Sequence, residues 1–265
     1  MKTAPRTDRR IAAAVAAALL VPAIAVPASA VAADVQLSTD IGVGTSDNIL
    51  RTATDKRSET IEQVGLQFSV QNQTRRFDAD VRGDLAFLNY DKNSFSSELV
   101  GNAGAAFKLD LVEDRLSWSL DDVFGQTRRD PFAVVTPLNR ENVNYFSTGP
   151  NARIHLGSAD RLLASARYGK VSYETSLYDT DRLSMQAGYQ HDLSPVSQLG
   201  VNISHERVDP QDSGSLFQSY ARQEAFARYT LGGSRTKASL DVGASRVDRS
   251  GLADDGAVVR LELSR

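Results

Sequence analysis

Residues 77–87 read Phe77-Asp78-Ala79-Asp80-Val81-Arg82-Gly83-Asp84-Leu85-Ala86-Phe87. Phe77, Ala79, Val81, Gly83, Leu85 and Phe87 alternate with Asp78, Asp80, Arg82, Asp84 and Ala86. Strict alternation puts two chemistries on opposite faces of an extended chain, whereas a helix would scatter the same charges around its circumference. The span from Phe77 to Phe87, at about 3.3 Å per residue and a tilt of about 40°, projects to roughly 25 Å, the height of the lipid-facing band of a transmembrane strand. The two rings could therefore mark its two borders. Trp118 and Tyr145 fit opposite aromatic girdles in the same way.

The pattern recurs on both sides of this segment. Val64, Leu66, Phe68 and Val70 oppose Gln63, Gly65, Gln67, Ser69 and Gln71. Leu99, Gly101, Ala103, Ala105, Phe107, Leu109 and Leu111 oppose Asn102, Gly104, Lys108 and Asp110. Later come Leu183/Met185/Ala187/Tyr189, Leu199/Val201/Ile203, Ala238/Leu240/Val242/Ala244 and Ala257/Val259/Leu261/Leu263. The alternation predicts about twelve strands, over 35–47, 59–71, 75–90, 97–111, 114–127, 142–156, 160–173, 180–191, 197–207, 218–230, 235–247 and 256–264. Strands this long, with one apolar and one charged face, are those of a membrane-spanning barrel rather than of an ordinary globular domain.

The connections alternate as well. Asn72-Gln73-Thr74, Glu113-Asp114, Gly157-Ser158-Ala159, Ser194-Pro195-Val196 and Gly232-Gly233-Ser234 are short turns. The connections at 48–58, 91–96, 128–141, 174–179, 208–217 and 248–255 are longer and more polar. Short periplasmic turns and long outer loops are the outer-membrane pattern. Three places strain it. Gly149-Pro150 predicts a bulge in the sixth strand. Asp122 shares its parity with Leu116, Trp118 and Leu120, so the fifth strand must shift or end there. The tenth strand offers only Ala225, Ala227 and Tyr229 as a thin apolar stripe.

The beginning of the chain is an address. Lys2, Arg6, Arg9 and Arg10 precede an apolar run from Ile11 to about Val26, and Ala28-Ser29-Ala30 and Val31-Ala32-Ala33 offer small-residue cleavage sites. This predicts a signal peptide over 1–33 and a mature barrel over 34–265. Pro22 and Pro27 disfavour a retained anchor helix.

Composition removes whole classes of function. The chain has 265 residues, 30 basic and 33 acidic side chains, a net charge of -3 and no cysteine. Without a basic excess, no nucleic-acid partner is expected. Without cysteine there is no disulfide, thiolate nucleophile or cysteine metal site. A mean hydropathy of -0.30 excludes a bundle of membrane helices. His155, His191 and His205 lie near strand ends without partners at metal-ligand spacing on their own strands, and no G-x-S-x-G elbow occurs. No catalytic residue, metal or cofactor is expected, and the chain reads as a non-enzyme.

What remains is the inward face. Asp80, Arg82, Asp84, Lys108, Asp110, Arg167, Arg222, Glu224, Arg228, Asp241, Arg260 and Glu262 are the candidate pore-lining set. Charges of both signs could create a transverse field in a water-filled pore or brace a salt-bridged polar interior.

Ser46-Asp47-Asn48-Ile49-Leu50-Arg51, followed by Glu62-Gln63-Val64-Gly65-Leu66 and Leu88-Asn89-Tyr90, resembles the outer-membrane β-barrel porin family associated with exopolysaccharide-synthesis loci. The resemblance spans roughly 34–265. It implies an outer-membrane location, a part in polysaccharide or solute passage, and no catalytic residues. Lipid, the barrel-assembly machinery and polysaccharide-export components are the partners expected. Barrels of that family tend to be longer and to end on an aromatic residue, whereas this chain stops at Leu261-Glu262-Leu263-Ser264-Arg265. A truncated member is favoured over a twelve-strand barrel with an atypical end. Two alternatives have distinct signatures. A barrel enzyme of lipase or protease type needs a Ser/His/Asp or an Asp/His set clustered at one rim, and His155, His191 and His205 each standing isolated would end that reading. A soluble exported carbohydrate-binding β-protein must bury its apolar rows between two sheets.

Overall fold

The computed structural model describes residues 33–212, 217–233, 236–249 and 251–264. The expected signal peptide, apart from its last residue, lies outside them. The described residues form twelve strands: β1 (Asp34–Ser46), β2 (Glu59–Gln73), β3 (Phe77–Tyr90), β4 (Glu98–Val112), β5 (Leu116–Arg128), β6 (Arg140–His155), β7 (Asp160–Tyr173), β8 (Thr180–Ser194), β9 (Ser197–Pro210), β10 (Tyr220–Gly232), β11 (Lys237–Arg249) and β12 (Leu252–Ser264). They pair in sequence order in a 12-stranded antiparallel up-and-down sheet, with β1 first and β12 last. The other described element is a 3-10 turn at Pro137–Asn139.

The chain divides into two compact units. One runs through Phe107 and includes Asp121–Phe146 and Val171–Leu177; the other is Lys108–Leu120, Ser147–Lys170 and Tyr178–Arg265. In the first, Leu37 lies opposite Phe68, Phe68 opposite Gly83 and Val64 opposite Phe87, so the apolar rows of β1, β2 and β3 share one face. The gap beside Gly83 is filled by the Phe68 ring and the Ala103 methyl. Phe77 stacks on Phe107 with centroids 6.3 Å apart. In the second unit, Ala187, Ile203, Ala225, Ala244 and Ala257 follow one another across β8–β12 in register. The apolar rows are exposed: Ile203 keeps 57% of its surface and Val242 53%.

Local chemistry explains the turns. Between β2 and β3 the Thr74 hydroxyl accepts from the Phe77 N–H at 2.9 Å, while the Thr74 N–H donates to the Phe77 carbonyl at 2.9 Å. Between β4 and β5, Asp114 takes a left-handed φ of 55°, which Asp tolerates better than most residues. Gly101 and Gly149 have φ of 119° and 159°, and a Cβ at either would sit 2.0 Å from a backbone carbonyl of the neighbouring strand, Asp84 or Ala166. The irregularity expected at Gly149-Pro150 is present. In β5 the exposed apolar residue passes from Trp118 to Val123, so the parity changes and Asp122 leaves the exposed apolar row.

One connection departs from expectation. β11 ends at Arg249 and β12 begins at Leu252, so most of the loop expected over 248–255 is strand. The Asp248 carboxylate accepts from the Gly251 N–H at 3.2 Å, and Gly251 takes a φ of 86°. Asp254 and Asp255 are therefore strand residues. Their charge imitates a loop, but Asp255 lies opposite Arg246 across the hairpin, 3.9 Å away.

Candidate functional site

The polar face of β8–β12 carries a continuous charge network. It starts near the ends of β8, β9 and β10 that meet the longer connections. Glu206 on β9 lies between Arg182 on β8 and Arg222 on β10, at 3.8 and 3.7 Å, and accepts from the Tyr220 hydroxyl at 3.0 Å. Arg222 is 3.9 Å from Glu224, which Arg260 of β12 contacts at 2.6 Å. Arg260 also approaches Asp241 at 3.6 Å, and Arg228 grips Asp241 with two bonds of 2.6 and 2.7 Å. The last pair is bidentate, the geometry that best matches a planar guanidinium to a carboxylate. Phe226 lies between these pairs on β10, with the Arg228 and Arg260 guanidiniums 5.3 and 5.4 Å from its ring centroid.

Registration produces this network. Arg228 lies directly opposite Asp241, which lies opposite Arg260. Arg222 lies opposite Glu206. Opposite charges on directly paired residues stabilise a sheet. The acids lie below and the bases above: Asp241 is 2% exposed as a residue, while the Arg182 and Arg222 side chains keep 53% and 46% of their surface.

The polar face of β1–β3 is different. Gln36 and Ser38 face Ser69 and Gln67, and Gln67, Ser69 and Gln71 face Asp84, Arg82 and Asp80. Asp40 accepts from the Gln63 amide at 3.2 Å. Arg82 pairs within its own strand, its Nε 2.6 Å from Asp80. Amides, hydroxyls and carboxylates dominate, with one arginine among Asp40, Asp80 and Asp84.

Of the twelve candidate lining residues, Arg222, Glu224, Arg228, Asp241 and Arg260 come together in the network. Glu262 lies beside it, in weak contact with Ser239 at 3.5 Å. Asp80 and Arg82 form one separate pair and Lys108 and Asp110 another, the latter at 3.2 Å. Asp84 sits opposite Gln67. Arg167 braces the irregularity at Gly149: it donates to the Pro150 carbonyl at 3.0 Å and to the Asn151 amide oxygen. Sequence reasoning omitted Arg182, Glu206 and Tyr220. Each falls on the polar parity of its strand, but only Tyr220 neighbours an already chosen charge in sequence, and it is register that brings Glu206 opposite Arg222.

Two buried carboxylates organise the longer connections. Glu59, the first residue of β2, accepts from the backbone N–H groups of Lys92 and Ser94 at 2.8 and 2.9 Å, holding the β3–β4 connection. Glu141, near the start of β6, accepts from those of Thr175 and Ser176 at 3.1 and 2.8 Å, holding the β7–β8 connection. Both carboxylates are buried.

The histidines do not assemble. His191 lies 2.7 Å from Asp160, which also accepts from the Tyr189 hydroxyl. That pair bridges β7 and β8, a partnership no spacing within one strand could reveal. Among the described residues, no group of three His, Cys, Asp or Glu side chains could hold a metal.

No protein-family model matches the sequence, and no curated protein matches it. Among solved structures, the chain is similar to an outer membrane channel from Pseudomonas putida F1, with 14% identity and a TM-score of 0.44, over 88% of this chain and 93% of that one.

Proposed function

We propose that this protein is an outer-membrane β-barrel that acts as a porin-like passage, with its apolar rows toward lipid and its polar faces toward water. One observation carries this reading. Leu183 and Met185, Leu199 and Val201, Leu240 and Val242, and Val259 and Leu261 lie exposed on successive or near-successive strands, while the opposite face carries the charge network. A contiguous apolar surface of this kind needs a partner or a bilayer. A layered soluble protein would have buried the same rows, so their exposure counts against the carbohydrate-binding alternative. From β2 to β11 each strand is also paired on both sides, as hydrocarbon demands of the strands of a spanning sheet.

The passage is for hydrophilic solutes, with exopolysaccharide export as the particular task that the family resemblance favours. Export through the signal peptide, insertion by the barrel-assembly machinery and contact with polysaccharide-export components complete the proposal. No catalytic step is assigned. Cell fractionation tests location: the chain should enter the outer-membrane fraction and show heat-modifiable gel mobility, and recovery in the aqueous periplasmic fraction would refute it. Planar-bilayer recording tests passage, and a well-folded preparation without current would reduce the protein to a scaffold.

A further inference from the structure

We propose that Arg182 and Arg222 form an anion-contact site on the polar face of β8–β10, selecting solutes that carry a carboxylate or phosphate. The inference rests on the passage proposed above and assigns it a substrate class.

Three observations converge. First, Glu224 and Asp241 are spent on Arg260 and Arg228, whereas the guanidiniums of Arg182 and Arg222 are not spent. Glu224 and Asp241 have side chains only 10% and 3% exposed and lie within 2.6 Å of Arg260 and Arg228, respectively. Arg182 and Arg222 approach Glu206 at 3.8 and 3.7 Å, beyond hydrogen-bonding reach, so that carboxylate does not consume their N–H donors. Second, two guanidiniums share this one carboxylate, and the Tyr220 hydroxyl already occupies one of its oxygens. Glu224, 3.9 Å from Arg222, is already matched by Arg260, so the cluster of Arg182, Arg222 and Glu206 carries a positive excess. Third, both arginines lie near the strand ends that meet the longer connections, two residues after Thr180 and Tyr220 begin their strands. Asp254 on β12 occupies the row of Arg222 two strands away, with Val247 between them, which limits the excess without cancelling it. Guanidinium presents paired donors that fit an oxyanion bidentately, and such contacts are about twice as strong as neutral ones.

The test uses the full chain refolded in detergent and placed in a planar bilayer under a potassium chloride gradient. The parent should favour chloride over potassium by about threefold, and inorganic pyrophosphate should reduce the current. In the Arg182→Gln/Arg222→Gln variant both effects should vanish. Arg182→Lys/Arg222→Lys should keep the chloride preference and lose most of the pyrophosphate block, because lysine keeps the charge but not the fork. Heat-modifiable mobility confirms that each variant folds, and the lysine variant serves if the glutamine one does not. A current with unchanged selectivity in the glutamine variant would overturn the anion site and leave the passage standing. No current from any folded preparation would overturn the passage. Calorimetric titration with pyrophosphate then decides the site alone: binding lost in the variants supports it, and no binding to the parent overturns it.

Discussion

The polar faces of β1–β3 and β8–β12 use the same parity rule but handle charge differently. On β1–β3, amides and hydroxyls separate the carboxylates, and the Arg82–Asp80 pair stays within one strand, with both side chains well exposed. On β8–β12, pairs cross strands and bury their acids, with Asp241 held between arginines of the strands on either side. The comparison separates two uses of charge. Exposed same-strand pairs mainly keep a face wet, whereas a buried cross-strand acid fixes register.

The largest expected contrast between the two faces is steric. A Cβ added at Gly243 would sit 2.1 Å from the Ala225 carbonyl oxygen and 2.5 Å from the Phe226 Cα, whereas one at Gly65 would meet only the Asp40 carboxylate, which can swing aside. Gly243→Ala should sharply reduce the folded yield read by heat-modifiable mobility, while Gly65→Ala should match the parent. Equal yields would mean that the backbone approach at Gly243 is not fixed. Next comes charge removal. Asp241→Asn should cost about 1–3 kcal/mol in urea unfolding, because two arginines lose a buried partner. Asp80→Asn should leave the midpoint unmoved within error, and comparable losses would dissolve the distinction between the two faces. The smallest effect is local. Glu141→Gln should speed proteolytic nicking of 174–179, and Glu59→Gln that of 91–97, with global stability little changed. Protection equal to that of the parent would show that other contacts hold these connections.

The strands were legible because their cause is periodic. Alternation located all twelve, and Gly149-Pro150 announced its own irregularity. What escaped depends on relations between strands. Arg182 and Glu206 matter through register, which no single strand encodes. Asp122 read as a misfit until the exposed row passed to Val123. The β11–β12 turn was hidden by Asp254 and Asp255, whose charge resembles a loop although their partners lie across a hairpin. Glu59 and Glu141 were invisible for a different reason: each grips backbone N–H groups more than thirty residues away, and backbone carries no sequence signature.

That last feature has a consequence for variation. Lys92, Ser94, Thr175 and Ser176 are all held by their amide nitrogens, and although the Ser94 and Ser176 hydroxyls join the grip, the side chains of Lys92 and Thr175 are spectators to it. The shape of these segments is thereby uncoupled from the identity of half of the residues held. A surface built this way can alter what antibodies or phages recognise, one residue at a time, while the scaffold beneath keeps its form.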